Sequence, residues 1–199
     1  MSRPPTDINH SRRRLLIRTT TSMGAIGTVA ALIPFVRYCS PSSTIPMVDA
    51  SVSVDVSTLA AGQMTVTQWQ GKPVYIIRRT AEMIAALANT HAAPHANLRD
   101  PDSSESKQPD YARNAYRSRD PSLLVMVAVC THLGCAPGYR PDSTAATPSP
   151  DWSGGFVCPC HGSRFDLAGR VYKDVPAPLN MEIPPYTLVG NTLTLGTDV

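Results

Sequence analysis

Two short segments of this 199-residue chain combine cysteine and histidine at close spacing. Residues 130–135 read Cys-Thr-His-Leu-Gly-Cys, and residues 158–163 read Cys-Pro-Cys-His-Gly-Ser. Their candidate ligands are Cys130, His132, Cys158 and His161. Thiolates and neutral imidazoles bind both zinc and iron. The residue types alone therefore permit a tetrahedral zinc site or a mixed-ligand iron–sulfur site.

The spacing of the four ligands favours the iron–sulfur site. Residues 123–129 are continuously apolar, which predicts a buried strand that delivers Cys130 to its tip. Phe156 and Val157 precede the second segment in the same way. A Cys-x-His and a Cys-x-x-His on two facing loops match the Rieske pattern, in which two histidines replace two cysteines on one of two irons. Cys135 and Cys160 add a pair that a four-ligand zinc site does not need.

Period-2 patterns elsewhere predict a mostly β protein of antiparallel sheets. Alternating valines at 52–56 and the runs 64–69 and 73–77 read as strands joined by tight turns. Residues 186–189 and 192–195 flank Gly190-Asn191, a two-residue turn suited to a hairpin.

One helix and one irregular segment are expected between these strands. Thr80 can cap a short helix through Asn89, with Met83, Ile84 and Leu87 on one face. Residues 90–120 are polar and proline-bearing with no usable period, which predicts an irregular segment with one short helix.

The N-terminus predicts export and a single membrane anchor. Residues 1–18 are basic, and Arg12-Arg13-Arg14 before an apolar stretch resembles a twin-arginine signal. Residues 19–38 form the predicted transmembrane anchor, since its uncharged stretch is roughly 27 Å long as a helix. The positive-inside rule then places the head outside the bacterial inner membrane, in the periplasm. Residues 39–50, which include Cys39, have the composition of a flexible hinge, and residues 51–199 form the head.

The net charge of +3 does not indicate a nucleic-acid surface. Most of the positive excess lies in the first eighteen residues, and no stripe of interleaved basic and aromatic residues follows. We therefore expect no nucleic-acid partner.

Several segments outside the two loops resemble the Rieske iron–sulfur subunit of bacterial ubiquinol–cytochrome c reductase, the cytochrome bc complex. Residues 69–80 look like the first strand pair of that subunit, and Leu98-Arg99-Asp100-Pro101 is similar to the next recognisable motif in its sequence. Pro176-Ala177-Pro178-Leu179 matches its proline loop. The resemblance implies an antiparallel β-sandwich head in which a cluster-binding subdomain, about residues 123–179, is inserted.

The resemblance also assigns roles to residues. Cys130 and Cys158 would bind the inner iron of a 2Fe–2S cluster and His132 and His161 the outer one, with His161 contacting quinol. Cys135 and Cys160 would form a disulfide between the loops, and the Ser163 hydroxyl would bond a bridging sulfide. The neighbouring positions with expected docking or supporting roles are Leu133, Gly134, Gly162, Pro176 and Pro178.

Phe165 departs from the family pattern. High-potential members have a tyrosine here that donates a hydrogen bond to a cysteine sulfur. Such a bond stabilises the more negative, reduced cluster. Its loss predicts a lower potential within the Rieske span of roughly −150 to +300 mV.

The resemblance implies electron transfer from ubiquinol to a c-type cytochrome within a membrane complex. Cytochrome b and the c-type cytochrome would be partner subunits, and the complex would be dimeric. Two alternatives stay open on the sequence. One is the Rieske subunit of a periplasmic oxidoreductase such as arsenite oxidase, and the other is a non-redox zinc module.

Overall fold

The computed structural model describes residues 9–39, 51–92, 97–141 and 152–197. The chain divides into two compact units, Met1–Pro46, which contains the N-terminal helix, and Met47–Val199. Residues 1–8 and 40–50, which include most of the predicted hinge, lie outside the described residues.

The N-terminal unit is one helix, α1 (His10–Cys39). By length and composition it can cross a membrane, as predicted. It begins nine residues before the predicted anchor because Asn9 caps it, accepting the Arg12 N–H at 3.1 Å on its side chain. The hydroxyls of Thr19, Thr21 and Thr28 donate to carbonyls four residues earlier at 2.8–2.9 Å. These threonines therefore need no water to satisfy their hydroxyls, which suits a helix in lipid.

The second unit is mostly antiparallel β structure, which confirms the predicted fold class. Its helix and strands are β1 (Val52–Asp55), β2 (Met64–Trp69), β3 (Lys72–Arg78), α2 (Ala81–Ala92), β4 (Leu123–Val127), β5 (Gly138–Arg140), β6 (Gly155–Val157), β7 (Arg164–Phe165), β8 (Tyr186–Val189) and β9 (Thr192–Leu195). They form three sheets of three strands, in the orders β1-β9-β8, β2-β3-β4 and β5-β6-β7.

The sheet β2-β3-β4 carries the middle of the core. All five residues of β4 are buried, as the apolar run predicts, although the strand ends at Val127 rather than Val129. Gln70 and Gly71 join β2 to β3 with positive φ angles of 50° and 73°, the backbone that a tight hairpin requires. The terminal hairpin β8–β9 is also confirmed, with Val189 paired to Thr192.

Helix α2 follows its predicted cap and then runs three residues further than Asn89. The Thr80 hydroxyl accepts the Met83 N–H at 3.3 Å. Met83 and Leu87 are buried and Ile84 is half-buried, so the predicted apolar face is the one that packs. Within residues 97–120 the structure has a short 3-10 helix at Asp110–Ala112 and is otherwise irregular, as predicted.

The small sheet β5-β6-β7 surrounds the second ligand-bearing segment in sequence: β5 and β6 lie between the two segments, and β7 follows the second. Its strands approach closely at Gly155, which has a φ of 150° and where a Cβ atom would lie 2.0 Å from the Phe165 carbonyl oxygen. Only glycine fits there. Strand β4, where the expected cluster-binding subdomain begins, pairs with β3 instead, so the boundaries 123–179 stay a prediction.

Candidate metal centre

The two ligand-bearing loops have the same backbone bonding. We call residues 130–135 the first loop and residues 158–163 the second loop. In the first loop, the Cys130 N–H donates to the Cys135 carbonyl at 2.8 Å, and the Gly134 N–H donates to the Cys130 carbonyl at 3.0 Å. In the second, Cys158 and Gly162 make the same two bonds at 2.8 and 3.0 Å. Each loop is therefore a closed turn that holds a cysteine at its base.

Both turns depend on a glycine in the left-handed region. Gly134 has a φ of 85° and Gly162 a φ of 71°. A side chain would strain either backbone, although it would meet no neighbouring atom within 4 Å. The predicted importance of the two glycines thus has a conformational reason in each loop.

The four candidate ligands divide by depth. Cys130 and Cys158 are each only 2% exposed and carry free thiols. His132 is half-buried and His161 is exposed. The two imidazole rings lie 4.8 Å apart between centroids at an interplanar angle of 83°. The site therefore has a thiol pair at its base and an imidazole pair at its open end.

A disulfide joins the loops. Cys135 and Cys160 are bonded with an S–S distance of 2.09 Å and Cα atoms 6.6 Å apart, which confirms the predicted pairing. The Cys158 sulfur lies within 4.8 Å of both disulfide sulfurs. These three sulfurs are not a metal site, because the two in the disulfide have no thiolate to offer. The disulfide instead fixes the separation of the loops beside the free thiols.

The thiol at the base of the first loop is influenced by several neighbours. Burial raises the pKa of Cys130, while the backbone N–H of His132 lowers it and the adjoining Cys158 thiol raises it further. The Ser163 hydroxyl also bonds to this sulfur and lowers the pKa. Metal binding requires the deprotonated thiolate, so a metal bound at this thiol would offset the cost of ionising it.

Ser163 is fully buried and is held by the proline-rich segment. Its Oγ accepts the Ala177 N–H at 3.0 Å, which leaves the hydroxyl proton free to donate on the other side. The same segment is tied to the first loop, because the Thr131 hydroxyl donates to the Leu179 carbonyl at 2.6 Å. Pro176 and Pro178 are exposed on either side of buried Ala177.

Sequence reasoning missed two side chains that support the loops. Thr131 lies between two candidate ligands, so its position was visible, but its Leu179 partner is 48 residues away. The Tyr75 hydroxyl, on β3, donates to the Pro137 carbonyl at 2.9 Å just beyond the first loop. The sequence shows a tyrosine inside an apolar strand, but it does not indicate which carbonyl the hydroxyl bonds.

Two further predicted positions are placed at opposite extremes of exposure. Leu133 is 71% exposed at the tip of the first loop. Phe165 is fully buried on β7, paired with Phe156 on β6. An exposed leucine at the tip of a loop suits a contact with another molecule, whereas a buried phenylalanine donates no hydrogen bond.

The donor set fits a 2Fe–2S cluster with two thiolate and two imidazole ligands. Two buried free thiols, on loops locked by a disulfide, can hold one iron away from solvent. Two imidazoles at the open end can hold the other. Cys135 and Cys160 are bonded to each other, so these two neighbouring cysteines do not compete for iron.

Fold and donor set define the class of the protein, and the comparison with protein families agrees. The family model described as the Rieske 2Fe-2S domain matches residues 50–186. The chain is a Rieske iron–sulfur protein, and its cofactor is a Rieske-type 2Fe–2S cluster. This assignment replaces the zinc alternative.

Comparisons over the whole chain narrow the class. Residues 3–42 match the family described as the "Ubiquitinol-cytochrome C reductase Fe-S subunit TAT signal". The ubiquinol-cytochrome c reductase iron-sulfur subunit of Allochromatium vinosum is 45% identical over 94% of this chain and 89% of its own length. The subunit of the same name from Rhodospirillum rubrum is 42% identical, over 93% and 91%.

The chain belongs to the family of ubiquinol-cytochrome c reductase iron–sulfur subunits. A solved structure titled "Hyperthermophilic respiratory Complex III" is 28% identical and overlaps 88% of this chain and 96% of its own, with a TM-score of 0.47. That score is below 0.5, so the family assignment rests on the sequence relatives. The export signal and the apolar helix α1 fit a membrane-anchored subunit.

Proposed function

We propose that this chain takes one electron and one proton from ubiquinol and passes the electron to a c-type cytochrome, as a subunit of a quinol–cytochrome c oxidoreductase. The observation that carries the proposal is the change in solvent exposure across the site. The thiols at its base are buried, and the imidazoles lie at its open end. The bound cluster supplies a one-electron acceptor. The chain has to hold it, exclude water from its base and present its outer edge.

The four ligands divide this work by position. Cys130 and Cys158 would hold the inner iron, because their burial keeps the sulfur ligands out of water. His132 and His161 would hold the outer iron within reach of a docked molecule. Ser163 supports this assignment, since its hydroxyl bonds the Cys130 sulfur and can donate toward the bound group.

Proton transfer is assigned to His161. Quinol oxidation releases a proton with each electron, and an imidazole ligand that becomes more basic on reduction can accept it. His161 is exposed whereas His132 is half-buried, so a quinol hydroxyl can reach a ring nitrogen of His161 more freely. One side chain would then receive the proton beside the iron that receives the electron.

The rim of the site favours docking into an apolar pocket on cytochrome b. Leu133 is exposed on the first loop, and Pro176 and Pro178 are exposed on the adjoining proline segment. Bound there, these side chains would lose water contact and shield the imidazoles during transfer. The relatives from Allochromatium vinosum and Rhodospirillum rubrum are named for the same activity.

Membrane geometry completes the proposal. The basic start of α1 favours a cytoplasmic N-terminus and a periplasmic head. The composition of residues 39–50 favours a hinge on which the head swings between quinol and cytochrome, and the complex would be a dimer. Relatives that are named for a quinol reductase favour this assignment over an arsenite oxidase subunit.

The test uses the full chain extracted in detergent from its native membrane. Co-purification with cytochrome b, a mixed histidine–cysteine electron paramagnetic resonance signal on reduction, and quinol-dependent reduction of cytochrome c are the expected results. The variant His161→Ala should lose the activity, whereas His10→Ala, at the exposed start of α1, should keep it. A colourless protein containing zinc, or a cluster protein without cytochrome b, would overturn the proposal.

A further inference from the structure

The proline-rich segment beside the site belongs to a loop whose two ends are hydrogen-bonded to each other. We call the residues at these two ends, 169–171 and 180–181, the neck of the loop. We call residues 172–179, which end with the proline motif 176–179, the proline loop. The backbone N–H of Val171, which precedes it, donates to Asn180 Oδ1 at 2.8 Å. The Met181 N–H donates to the Gly169 carbonyl at 2.9 Å. A side chain thus makes half of the bonds that close this neck.

Asn180 uses both ends of its amide. Besides accepting from Val171, its Nδ2 donates to the Asp100 carbonyl and to Ser103 Oγ, both at 2.8 Å. The backbone N–H of Asn180 donates to Ser106 Oγ at 3.2 Å. Asn180 is 2% exposed, so no solvent replaces any partner that is lost. The polar segment 97–120 therefore holds the neck in place.

The far end of the proline loop touches both ligand-bearing loops. The Ala177 N–H donates to Ser163 Oγ, and the Leu179 carbonyl accepts from the Thr131 hydroxyl. A shift of the neck would move these two contacts, because only two residues separate Asn180 from Ala177. The contact with Ser163 matters most, since that hydroxyl also bonds the Cys130 sulfur.

We infer that Asn180 is a positioning residue for the cluster: it closes the proline loop, and through the Ala177 N–H it sets the direction in which the Ser163 hydroxyl donates. This inference rests on the proposed ligand set. With one lone pair of Ser163 Oγ occupied by Ala177, the hydroxyl proton points toward the sulfur side. A hydrogen bond to sulfur stabilises the reduced cluster. Asn180 therefore helps to maintain the reduction potential of the cluster, although it lies outside the two ligand-bearing loops.

Asparagine is required by the partners present. Val171 offers a donor, whereas Asp100 and Ser103 offer acceptors, so the side chain must accept at one end and donate at the other. Aspartate would place a carboxylate against the Asp100 carbonyl, and leucine would leave all three partners unsatisfied in a buried place.

A double-mutant cycle tests whether Asn180 acts through Ser163. The midpoint potential of the full chain in its complex is measured for Asn180→Ala, Ser163→Ala and the double variant. We expect a lower potential in each single variant, and in the double variant the potential of Ser163→Ala alone. Additive shifts, or an unchanged potential in Asn180→Ala, would overturn the inference.

Two further variants separate positioning from stability. Leu193→Ala creates a cavity at a fully buried position of β9, so it should lower the melting temperature without changing the potential. Ser103→Ala removes a single acceptor of Asn180, so it should lower the midpoint potential by less than Asn180→Ala does. This milder variant still tests the inference if Asn180→Ala assembles poorly. Wild-type protein without a reducible cluster would instead overturn the proposed function.

Discussion

The rings of His132 and His161 lie 4.8 Å apart at the open end of a site whose base holds the buried thiols Cys130 and Cys158. This arrangement predicts that each thiol is indispensable. Cys158→Ser should abolish the cluster, because a buried hydroxyl is a poor ligand for iron. Cys39→Ser should retain full iron, since Cys39 is exposed on α1. Iron and sulfide content of the purified full chain measures both, and equal losses in the two variants would contradict the ligand assignment.

Phe165→Tyr should raise the midpoint potential. Phe165 is fully buried on β7, two residues after Ser163, so an added hydroxyl would be placed near the ligand sulfurs with no access to water. Such a donor stabilises the reduced cluster. Potentiometric titration followed by electron paramagnetic resonance checks the shift.

The matched control at the same position is Phe165→Leu, which changes the packing without adding a donor. It should leave the potential unchanged or lower it while reducing stability. A rise in both variants, or in neither, would show that a missing hydrogen bond does not set the potential of this protein.

Much of the site followed from the sequence because its signals are local. Cys130 follows a continuous apolar run, and the cysteine and histidine spacing within each loop is set by two or three residues. The Rieske pattern added the loop-to-loop disulfide Cys135–Cys160, which the structure contains. The hairpin at Gly190 and the cap at Thr80 are equally local, and both were predicted.

What the sequence did not indicate depends on distant partners. Arg117 looks like any surface arginine in a polar stretch, yet it is fully buried and donates to the Met181 carbonyl 64 residues away. Asn180 likewise follows a recognisable proline motif, but its partner Asp100 is 80 residues earlier. Helix α1 begins before the predicted anchor because apolarity marks only the membrane span, whereas helical hydrogen bonding continues through the preceding arginines.

Removal of the cluster should allow the Cys158 thiolate to attack the Cys135–Cys160 disulfide. The Cys158 sulfur lies within 4.8 Å of both disulfide sulfurs, so a freed Cys158 thiolate can bond to one of them and release the other as a thiol. The proton lost by Cys158 is taken up by the leaving sulfur, and no oxidant is consumed. We expect disulfides that contain Cys158 to accumulate over minutes to hours in chelator-treated protein.

Peptide mapping after acid quench and alkylation detects this exchange. Cluster-replete protein should contain only the Cys135–Cys160 bond, and Cys158→Ser, which is expected to hold no cluster, should keep that bond as well. Chelator-treated wild type that shows the original pairing alone after a day would rule the exchange out.

Asp100 should make stability fall in acid. Burial alone would raise the pKa of Asp100, but hydrogen bonds from Ser104, Glu105 and Ser106 outweigh it and hold the pKa below its ordinary value of 3.8. A group with a lowered folded pKa contributes stability above its unfolded pKa and loses that contribution as pH falls through the folded value. Wild type should therefore lose stability below about pH 4, near the unfolded pKa of aspartate.

The variant Asp100→Asn isolates that contribution. It should be less stable than wild type at pH 7 and approach wild type at pH 3, in melting temperatures followed by circular dichroism. Asp102→Asn, at an exposed position two residues away, should parallel wild type throughout. Parallel curves for Asp100→Asn and wild type would show that this carboxylate does not cause the acid dependence.

Arg117 should be the most costly arginine of the polar segment to replace. Its guanidinium donates to Gln108 Oε1 and to the carbonyls of Ala168, Gly169 and Met181, at 2.8–3.3 Å, with the side chain fully buried. Arg117→Met removes the buried donor of these acceptors, although the Gly169 carbonyl keeps the Met181 N–H, and this loss costs about 3 kcal/mol of unfolding free energy. For a domain of this size that corresponds to a melting temperature lower by roughly 6–12 °C.

Arg113 provides the matched control four residues earlier. Its ion pair with Asp110 measures 3.0 Å but is exposed, with 51% and 96% of the two side chains in contact with solvent. Arg113→Met should therefore change the melting temperature by no more than about 2 °C, because exposed pairs contribute little. Equal losses for the two arginines would mean that removal of positive charge, rather than the loss of buried hydrogen bonds around the neck of the proline loop, sets the cost.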